Sequence, residues 1–192
     1  GTTNRSTYWQ EQVVEGSGIS KIVQLAVDGT ITQSQDIFST NSFNASDFIS
    51  QLDQAIEDDA VKAVVIMVNS PGGEVVASDE IHRKALETKQ AGKPVIISMG
   101  AMAASGGYYI SAPANRIFAN PSTMTGSLGV IFTLPNYKGT ADWLGYKENV
   151  IKSGKHKDIG NPLREPTPEE WDIFEKLVDE SYQQFIDIIA EG

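Results

Sequence analysis

The chain has 192 residues, of which 40% are hydrophobic and 21% charged, so it holds enough apolar material for one compact core and too much for a disordered chain. Its formal net charge of -10 excludes the basic surplus that binding to phosphate backbones needs, and we expect no nucleic-acid partner. The absence of cysteine excludes disulfides, thiolate zinc sites and a cysteine nucleophile. We expect no cofactor and no bound metal.

The N-terminal segment, residues 1–20, is polar and is predicted to form a tail or an edge element, followed by a single domain over residues 21–192. The polar start does not resemble a signal peptide. The sequence also lacks a run of about 18 apolar residues, so the chain as given is not expected to span a membrane.

The first half of the domain alternates predicted strands and helices. Residues 21–29 are rich in apolar β-formers and end at Asp-Gly, which predicts a strand and a turn. Residues 30–44 lack a clear period and are predicted to form an exposed excursion. A helix is expected to begin at Ser46 as its N-cap. Residues 60–73 form a nearly continuous apolar run that predicts a strand buried on both faces.

The next stretch continues the alternation. Residues 74–90 are predicted to form a helix, and residues 93–100 a second buried strand. The small residues that follow are expected to enter a helix that continues through Tyr109. Short strands are predicted within residues 115–121 and 127–132.

Near the C-terminus, a helix is predicted to stop at Gly145 and a strand to run over residues 147–152. The final helix has Thr167 as N-cap, Pro168 at its first position and Glu170 closing a capping box. Its apolar stripe, interpreted as core or subunit interface, consists of Trp171, Phe174, Leu177, Val178, Phe185, Ile188 and Ile189. The alternation predicts an α/β fold with a largely parallel sheet flanked by helices and a C-terminal amphipathic helix.

Two glycine-containing turns follow predicted strands, "NSPGG" at residues 69–73 and "SMGAMAASGG" at residues 98–107. Ligands of open α/β sheets bind beyond the carboxyl ends of strands, where these turns lie. Neither turn matches GxGxxG or the P-loop, so nucleotide binding is poorly supported. The first turn could present backbone N–H groups to an anion, or it could be an ordinary tight turn.

Ser105 is the hydroxyl within the second of these turns. A serine among small residues is commonly a packing residue whose hydroxyl bonds back to the backbone. A nucleophilic serine needs a base within reach and an oxyanion hole nearby, and the GxSxG elbow is absent here. The small neighbours would allow an extended peptide to approach the backbone.

The candidate bases are few. His82 is interpreted as a solvated surface residue, whereas His156 could form a triad with Ser105 and Asp158 if a turn brings them together. A lysine base would need its pKa depressed by roughly 2–3 units, which burial could supply. Local chemistry does not choose among the three lysines of this segment, which are Lys152, Lys155 and Lys157.

Three blocks together, "VNSPGGEVVASDEIHR", "PVIISMGAMAASGGYYISAPANRIFANPSTMTGSLGV" and "IKSGKHKD", resemble bacterial signal peptide peptidase A. The resemblance covers the chain from about residue 22 to the final helix, with the blocks in the family's order. It implies a Ser-Lys peptidase with the Clp-protease/crotonase fold.

By this resemblance, Ser105 is expected to be the nucleophile and Lys157 the general base. Ser127 of "TGSLGV" is expected to orient that lysine. The amides of Gly72 and Gly106 are expected to form the oxyanion hole. The segment that begins at Gly73, the last residue of "NSPGG", is expected to pair with extended substrate.

The resemblance further implies the cellular setting. The expected substrates are cleaved signal peptides and other extended apolar peptides, degraded at the cell membrane by a catalytic domain on its extracytoplasmic side. The single copy of the domain matches the family's short form, in which neighbouring subunits of a homo-oligomer complete each active site. The family's membrane anchor is not in this chain, which is therefore interpreted as a soluble fragment.

Three other functions remain open from the sequence. One is a Ser-His-Asp peptidase that uses His156. Another is a scaffold of the same fold that binds apolar peptides without cleaving them. A coenzyme A enzyme of the crotonase type is disfavoured, since no site for the adenine phosphate is evident.

Overall fold

The computed structural model describes residues 11–33 and 41–192. Residues 1–10 of the predicted N-terminal segment and residues 34–40 of the predicted excursion therefore lie outside the described residues. The chain divides into two compact units. The first comprises the described residues up to Leu128 together with Asp187–Gly192, and the second comprises Gly129–Ile186. The single-domain organisation stays a prediction.

The first unit is built on parallel strands. In chain order these are β1 (Lys21–Asp28), β2 (Thr30–Thr32), β3 (Ser42–Asn44), β4 (Val61–Ser70), β5 (Val95–Ala104), β6 (Arg116–Phe118) and β7 (Met124–Gly126). The main sheet has the order β1-β4-β5-β6, with β7 paired to the distal half of β5, and β2 pairs with β3. Every pairing is parallel, as the sequence predicts.

The helices follow the strands in the expected alternation. They are α1 (Ala45–Glu57), α2 (Val75–Gln90), α3 (Gly106–Tyr109), α4 (Lys138–Leu144) and α5 (Pro168–Glu191). Residues of α1, α2 and the three longest strands form one buried apolar cluster, with Phe48, Ile66, Ile81 and Ile97 among its largest fully buried members. This cluster is the core that fixes the ends of β4 and β5.

Burial of β4 is one-sided, which corrects the prediction of a strand covered on both faces. Its side chains alternate between buried and more exposed positions, with Ile66 1% and Met67 43% exposed. The strand β5 shows a similar alternation over its first half. An apolar run alone does not separate the two cases, because Met67 is apolar and yet accessible to solvent.

The start of α1 differs from the prediction by two residues. Asn44, not Ser46, is the N-cap, and its side-chain oxygen accepts hydrogen bonds from the N–H groups of Ser46 and Asp47. The Ser46 hydroxyl instead donates to the carbonyl oxygen of Gln33. Asparagine and serine are nearly equal as N-caps, so the sequence could not rank them.

Two predicted strands are absent from the structure. Residues 127–132 do not form a strand, because the positive φ angles of Gly126 (89°) and Ser127 (52°) turn the chain at the end of β7. Residues 147–152 do not form one either, since residues 129–186 hold no strand with which they could pair. The predicted end of β5 was too early, because its extended conformation continues through the small residues to Ala104.

The second unit confirms both predicted helix boundaries. Gly145 ends α4 in the left-handed conformation with φ 69°. The hydroxyl of Thr167 accepts the N–H of Glu170, and the Glu170 carboxylate accepts the N–H of Thr167, which is the predicted capping box. Of the predicted apolar stripe, Phe185 is buried, whereas Trp171 and Leu177 are exposed. Among the helices of the described residues, none combines the length and apolar character needed to cross a membrane.

Candidate active site

Ser105 lies at the sharp junction between β5 and α3. Its backbone has φ 51° and ψ -120°, an unusual conformation for a residue with a side chain. The Ser105 N–H donates to the carbonyl of Gly126, and its own carbonyl accepts from Tyr108 and Tyr109 at the start of α3. The serine is therefore held on both sides in a strained turn, with a half-buried side chain.

Positive φ recurs at a second predicted site residue. Within residues 11–33 and 41–192, Ser105 and Ser127 are the non-glycine residues with a positive φ. Each such conformation costs of order 1–3 kcal/mol and persists where the surroundings enforce it, often at functional sites. Ser127 directly follows Gly126, the residue whose carbonyl accepts the Ser105 N–H at 2.8 Å. The two serines thus belong to adjoining turns of the first unit.

The "NSPGG" turn packs directly against the Ser105 turn. A Cβ atom on Gly72 would lie 2.6 Å from the backbone nitrogen of Gly106 and 3.0 Å from Cβ of Ser105. A Cβ atom on Gly106 would lie 2.6 Å from Oγ of Ser78 and 3.3 Å from the nitrogen of Gly73. Both glycines are therefore needed for the two backbones to approach, and the structure brings Ser105, Gly72, Gly106 and Gly73 together.

The hydrogen bonds of the first turn bear on its predicted roles. The N–H of Gly72 donates to Oγ of Ser70 at 3.1 Å, so an oxyanion there would share this donor or replace the hydroxyl. The backbone around Gly73 pairs with Ile31, because Ile31 donates to the Gly72 carbonyl and its own carbonyl accepts the N–H of Glu74. One edge of the segment predicted to bind substrate is thus already covered by β2.

Lys157 belongs to the second unit, in the turn that connects Gly154 with Gly160. Its N–H donates to the Gly154 carbonyl at 3.2 Å, and its side chain is exposed. The neighbouring lysines are ion-paired: Lys152 with Asp158, and Lys155 with Glu169. No carboxylate of the described residues forms such a pair with Lys157.

This difference bears on the choice that the sequence left open. Among the described residues, Lys152 and Lys155 each pair with a carboxylate, whereas Lys157 pairs with none. The choice of Lys157 as the general base stays a prediction from the family resemblance.

The two histidines fit catalysis poorly. Nδ1 of His156 is buried and has no hydrogen-bond partner among the described residues, while Asp158 is engaged by Lys152 and Arg164. The orienting His-Asp bond of a triad is thus missing. His82 is buried at 9% exposure with its ring centroid 5.1 Å from that of Tyr109, so its interpretation as a solvated surface residue was wrong. Burial, the largest cause, lowers the pKa of His82.

Sequence reasoning missed Arg164, which connects the lysine segment to α5. Its guanidinium donates to both carboxylate oxygens of Glu170, at 2.7 and 2.6 Å, and through Nε to the carboxylate of Asp158 at 3.0 Å. The Arg164 guanidinium, followed by the N–H of Thr167, holds the pKa of Glu170 at about 2. Arg164, followed by Lys152, also lowers the pKa of Asp158. The capping box at Thr167 was the available signal, because it marks Glu170 as a fixed acceptor.

These lowered pKa values predict that the folded protein loses stability in acid. A carboxylate whose pKa is lower in the folded than in the unfolded state stabilises the fold above its unfolded pKa, and this stabilisation is lost as the pH falls to the folded value. For Glu170 the window runs from about 4.5 down to about 2. We expect Glu170→Gln to unfold at lower urea concentration at pH 7, and this difference from wild type to vanish by about pH 2.

Equilibrium unfolding in urea at several pH values measures the effect. Glu169→Gln is the matched control, because Glu169 forms an exposed ion pair with Lys155 that contributes little. A difference between Glu170→Gln and wild type that does not change with pH would contradict the prediction.

Two family models match overlapping parts of the chain. The model of peptidase family S49 matches residues 87–192, and the model of Clp protease matches residues 18–125. A ClpP1 mutant from Listeria monocytogenes has a similar fold, with a TM-score of 0.51 and 21% identity over 88% of this chain and 70% of that one. This likeness confirms the predicted fold class.

Similar sequences carry peptidase names. A protein of Enterococcus faecium, provisionally named signal peptide peptidase SppA, is 40% identical over 95% of this chain and 54% of its own length. Protease 4 of Haemophilus influenzae is 35% identical over 90% of this chain and 28% of its own length. The chain thus spans about half, or less, of these relatives. The resemblance seen in the sequence is confirmed at the level of the family: this chain belongs to peptidase family S49.

Proposed function

We propose that the chain is a serine peptidase in which Ser105 is the nucleophile and Lys157 the general base. The observation that carries the proposal is the contact between two backbone turns, in which Gly72 and Gly106 approach closely beside the strained Ser105. The Ser105 side chain thus lies beside the backbone of these two glycines, and acyl transfer requires backbone N–H donors close to the nucleophile. Membership of peptidase family S49 supports the proposal of a serine peptidase.

The proposed reaction has two halves. The neutral amine of Lys157 accepts the Ser105 proton while Oγ attacks the peptide carbonyl, and the amides of Gly72 and Gly106 stabilise the oxyanion. The resulting ammonium gives its proton to the leaving amine as the peptide bond breaks. Lys157 then takes a proton from water as that water attacks the ester, and it returns the proton to Oγ of Ser105 when the acyl group leaves. Ser127 is proposed to orient the lysine by a hydrogen bond.

The proposed substrates are cleaved signal peptides and other extended apolar peptides, which would pair with the backbone from Gly73 onward. The name of the Enterococcus faecium relative supports this substrate class. The proposed place of action is the extracytoplasmic face of the cell membrane. We further propose that residues 21–192 act as one peptidase domain, and that a homo-oligomer completes each active site between subunits.

A serine-directed fluorophosphonate tests the proposal. We expect one adduct per chain, mapped by mass spectrometry to Ser105, and loss of cleavage of an apolar reporter peptide in proportion to labelling. The Ser105→Ala variant should remain unlabelled. Ser122→Ala is the control, because Ser122 is an exposed serine in the turn before β7, and this variant should be labelled like wild type.

A folded protein that cleaves no peptide and forms no adduct at Ser105 would contradict the proposal. That result would support the scaffold that binds apolar peptides without cleaving them.

A further inference from the structure

Arg164 is the centre of a partly buried charge cluster in the second unit, which we call the Arg164 clamp and define as Arg164, Asp158 and Glu170. The Glu170 side chain is 1% exposed and that of Asp158 13% exposed, while the Arg164 side chain is 29% exposed. The two carboxylates of the Arg164 clamp face a single guanidinium, and Lys152 adds a second positive charge at Asp158. Pairs of this kind are stronger and more directional than exposed ion pairs.

The geometry of the Arg164 clamp uses the shape of the guanidinium. Two of its nitrogens donate to the two oxygens of Glu170, which is a bidentate contact that lysine cannot reproduce. Glu170 is itself fixed at the start of α5 by the Thr167 N–H. The clamp therefore ties Asp158 to a rigid helix end.

The Arg164 clamp also contacts the backbone next to Lys157. Nη2 of Arg164 donates to the backbone carbonyl of Asp158 at 3.1 Å, and the N–H of Asn161 donates to the same carbonyl. On the other side, the Lys157 N–H donates to Gly154. The main chain of Lys157 is thus held at both ends, whereas its side chain makes no ion pair among the described residues.

This arrangement suits a catalytic lysine. A lysine side chain is a flexible stem of four carbons, so the position of its backbone limits where its amine can reach. A displacement of about 1 Å at a reacting group can lower a rate by about 100-fold. The fixed backbone gives the amine of Lys157 a defined reach, and no carboxylate of the described residues competes for that amine.

We propose that Arg164 is a positioning residue that, by clamping Asp158 to Glu170, fixes the backbone from which Lys157 acts as general base. This inference rests on the proposed Ser105–Lys157 dyad. Arg164 does not touch substrate in this role and acts only through Lys157.

The first test separates kcat from KM with the reporter peptide. We expect Arg164→Ala to lower kcat by about 10- to 100-fold with KM changed less than about twofold, because substrate contacts remain. Arg164→Lys should recover part of the loss, since one ammonium can pair with one carboxylate but not with both. Lys138→Ala removes an exposed ion pair with Asp142 in the same unit and should leave kcat unchanged.

The second test uses a double-mutant cycle. If Arg164 acts through Lys157, adding Arg164→Ala to Lys157→Ala should lower the residual kcat by less than about twofold. A general structural role would lower kcat in both backgrounds by the same factor, and that result would overturn the inference. Should Arg164→Ala fail to fold, the cycle is run with Asp158→Asn, which keeps the side-chain volume and weakens the clamp.

The outcomes also separate this inference from the function on which it rests. Loss of activity in Lys157→Ala together with an unchanged kcat in folded Arg164→Ala overturns the positioning role and leaves the dyad intact. Full activity in Lys157→Ala overturns the dyad and, with it, the role of Arg164. Loss in both single variants without further loss in the double variant supports the inference.

Discussion

Lys157→Ala is expected to lower kcat for the reporter peptide by about 10²- to 10⁴-fold, the range that a general base contributes. Without that amine, no group in the proposed site accepts the Ser105 proton. His156→Ala is expected to stay within about twofold of wild type, because Nδ1 of His156 lacks the carboxylate partner that would orient it as a base. The two variants lie one residue apart, so they separate the dyad from the triad.

Steady-state kinetics on both variants measures the difference, with circular dichroism and the urea midpoint as checks of folding. Lys155→Ala serves as a further comparison, because it removes a lysine from the same turn that is paired with Glu169. Near-normal turnover by Lys157→Ala combined with a large loss in His156→Ala would reverse the assignment and support the Ser-His-Asp hypothesis.

Gly72→Ala is expected both to destabilise the chain and to lower activity sharply. The new methyl group would lie 2.6 Å from the nitrogen of Gly106, a distance that cannot be tolerated, and Gly72 has φ 98°. Backbone strain alone costs about 1–3 kcal/mol. Relief of the clash must move the Ser105 turn, and a shift of about 1 Å there would lower kcat by about 100-fold.

Gly92→Ala is the matched control. Gly92 also has a positive φ, 82°, but a Cβ atom there would have no neighbour within 4 Å. It therefore shares the backbone strain without the clash, and we expect lower stability with unchanged kcat. Thermal unfolding and kinetics of both variants give the comparison. Equal kcat in Gly72→Ala and Gly92→Ala would show that contact between the two turns is not required.

The sequence predicts the parallel α/β fold well because its elements have strong local signals. Alternation of apolar strands with helices defines the sheet, and Gly145 and the capping box define helix ends in the second unit. The failures come from backbone geometry that no local pattern encodes. Ser127 was placed at the start of a strand, whereas its positive φ ends the extended chain there.

The candidate site also contains residues that the sequence predicts and contacts that it does not. The resemblance of whole blocks identified Ser105, Gly72 and Gly106, and the structure brings these three residues together. The hydrogen bond from Gly72 to Ser70 could not be foreseen, because it depends on the path of the turn. Arg164 was missed since its partners Asp158 and Glu170 lie six residues away on either side, a spacing typical of no single helix or strand.

The order of strands in the main sheet has a consequence for biosynthesis. The strands β1, β4, β5 and β6 are neighbours in the same sequence in which they leave the ribosome, so each can dock on a strand already made. The Ser105 turn is complete once β7 has emerged, whereas Lys157 follows later, by seconds at usual rates of synthesis. Under the proposed assignment, the turn that holds Ser105 is therefore synthesised before the lysine that would activate it. A nascent chain of this length would lack its general base and would not cleave peptides.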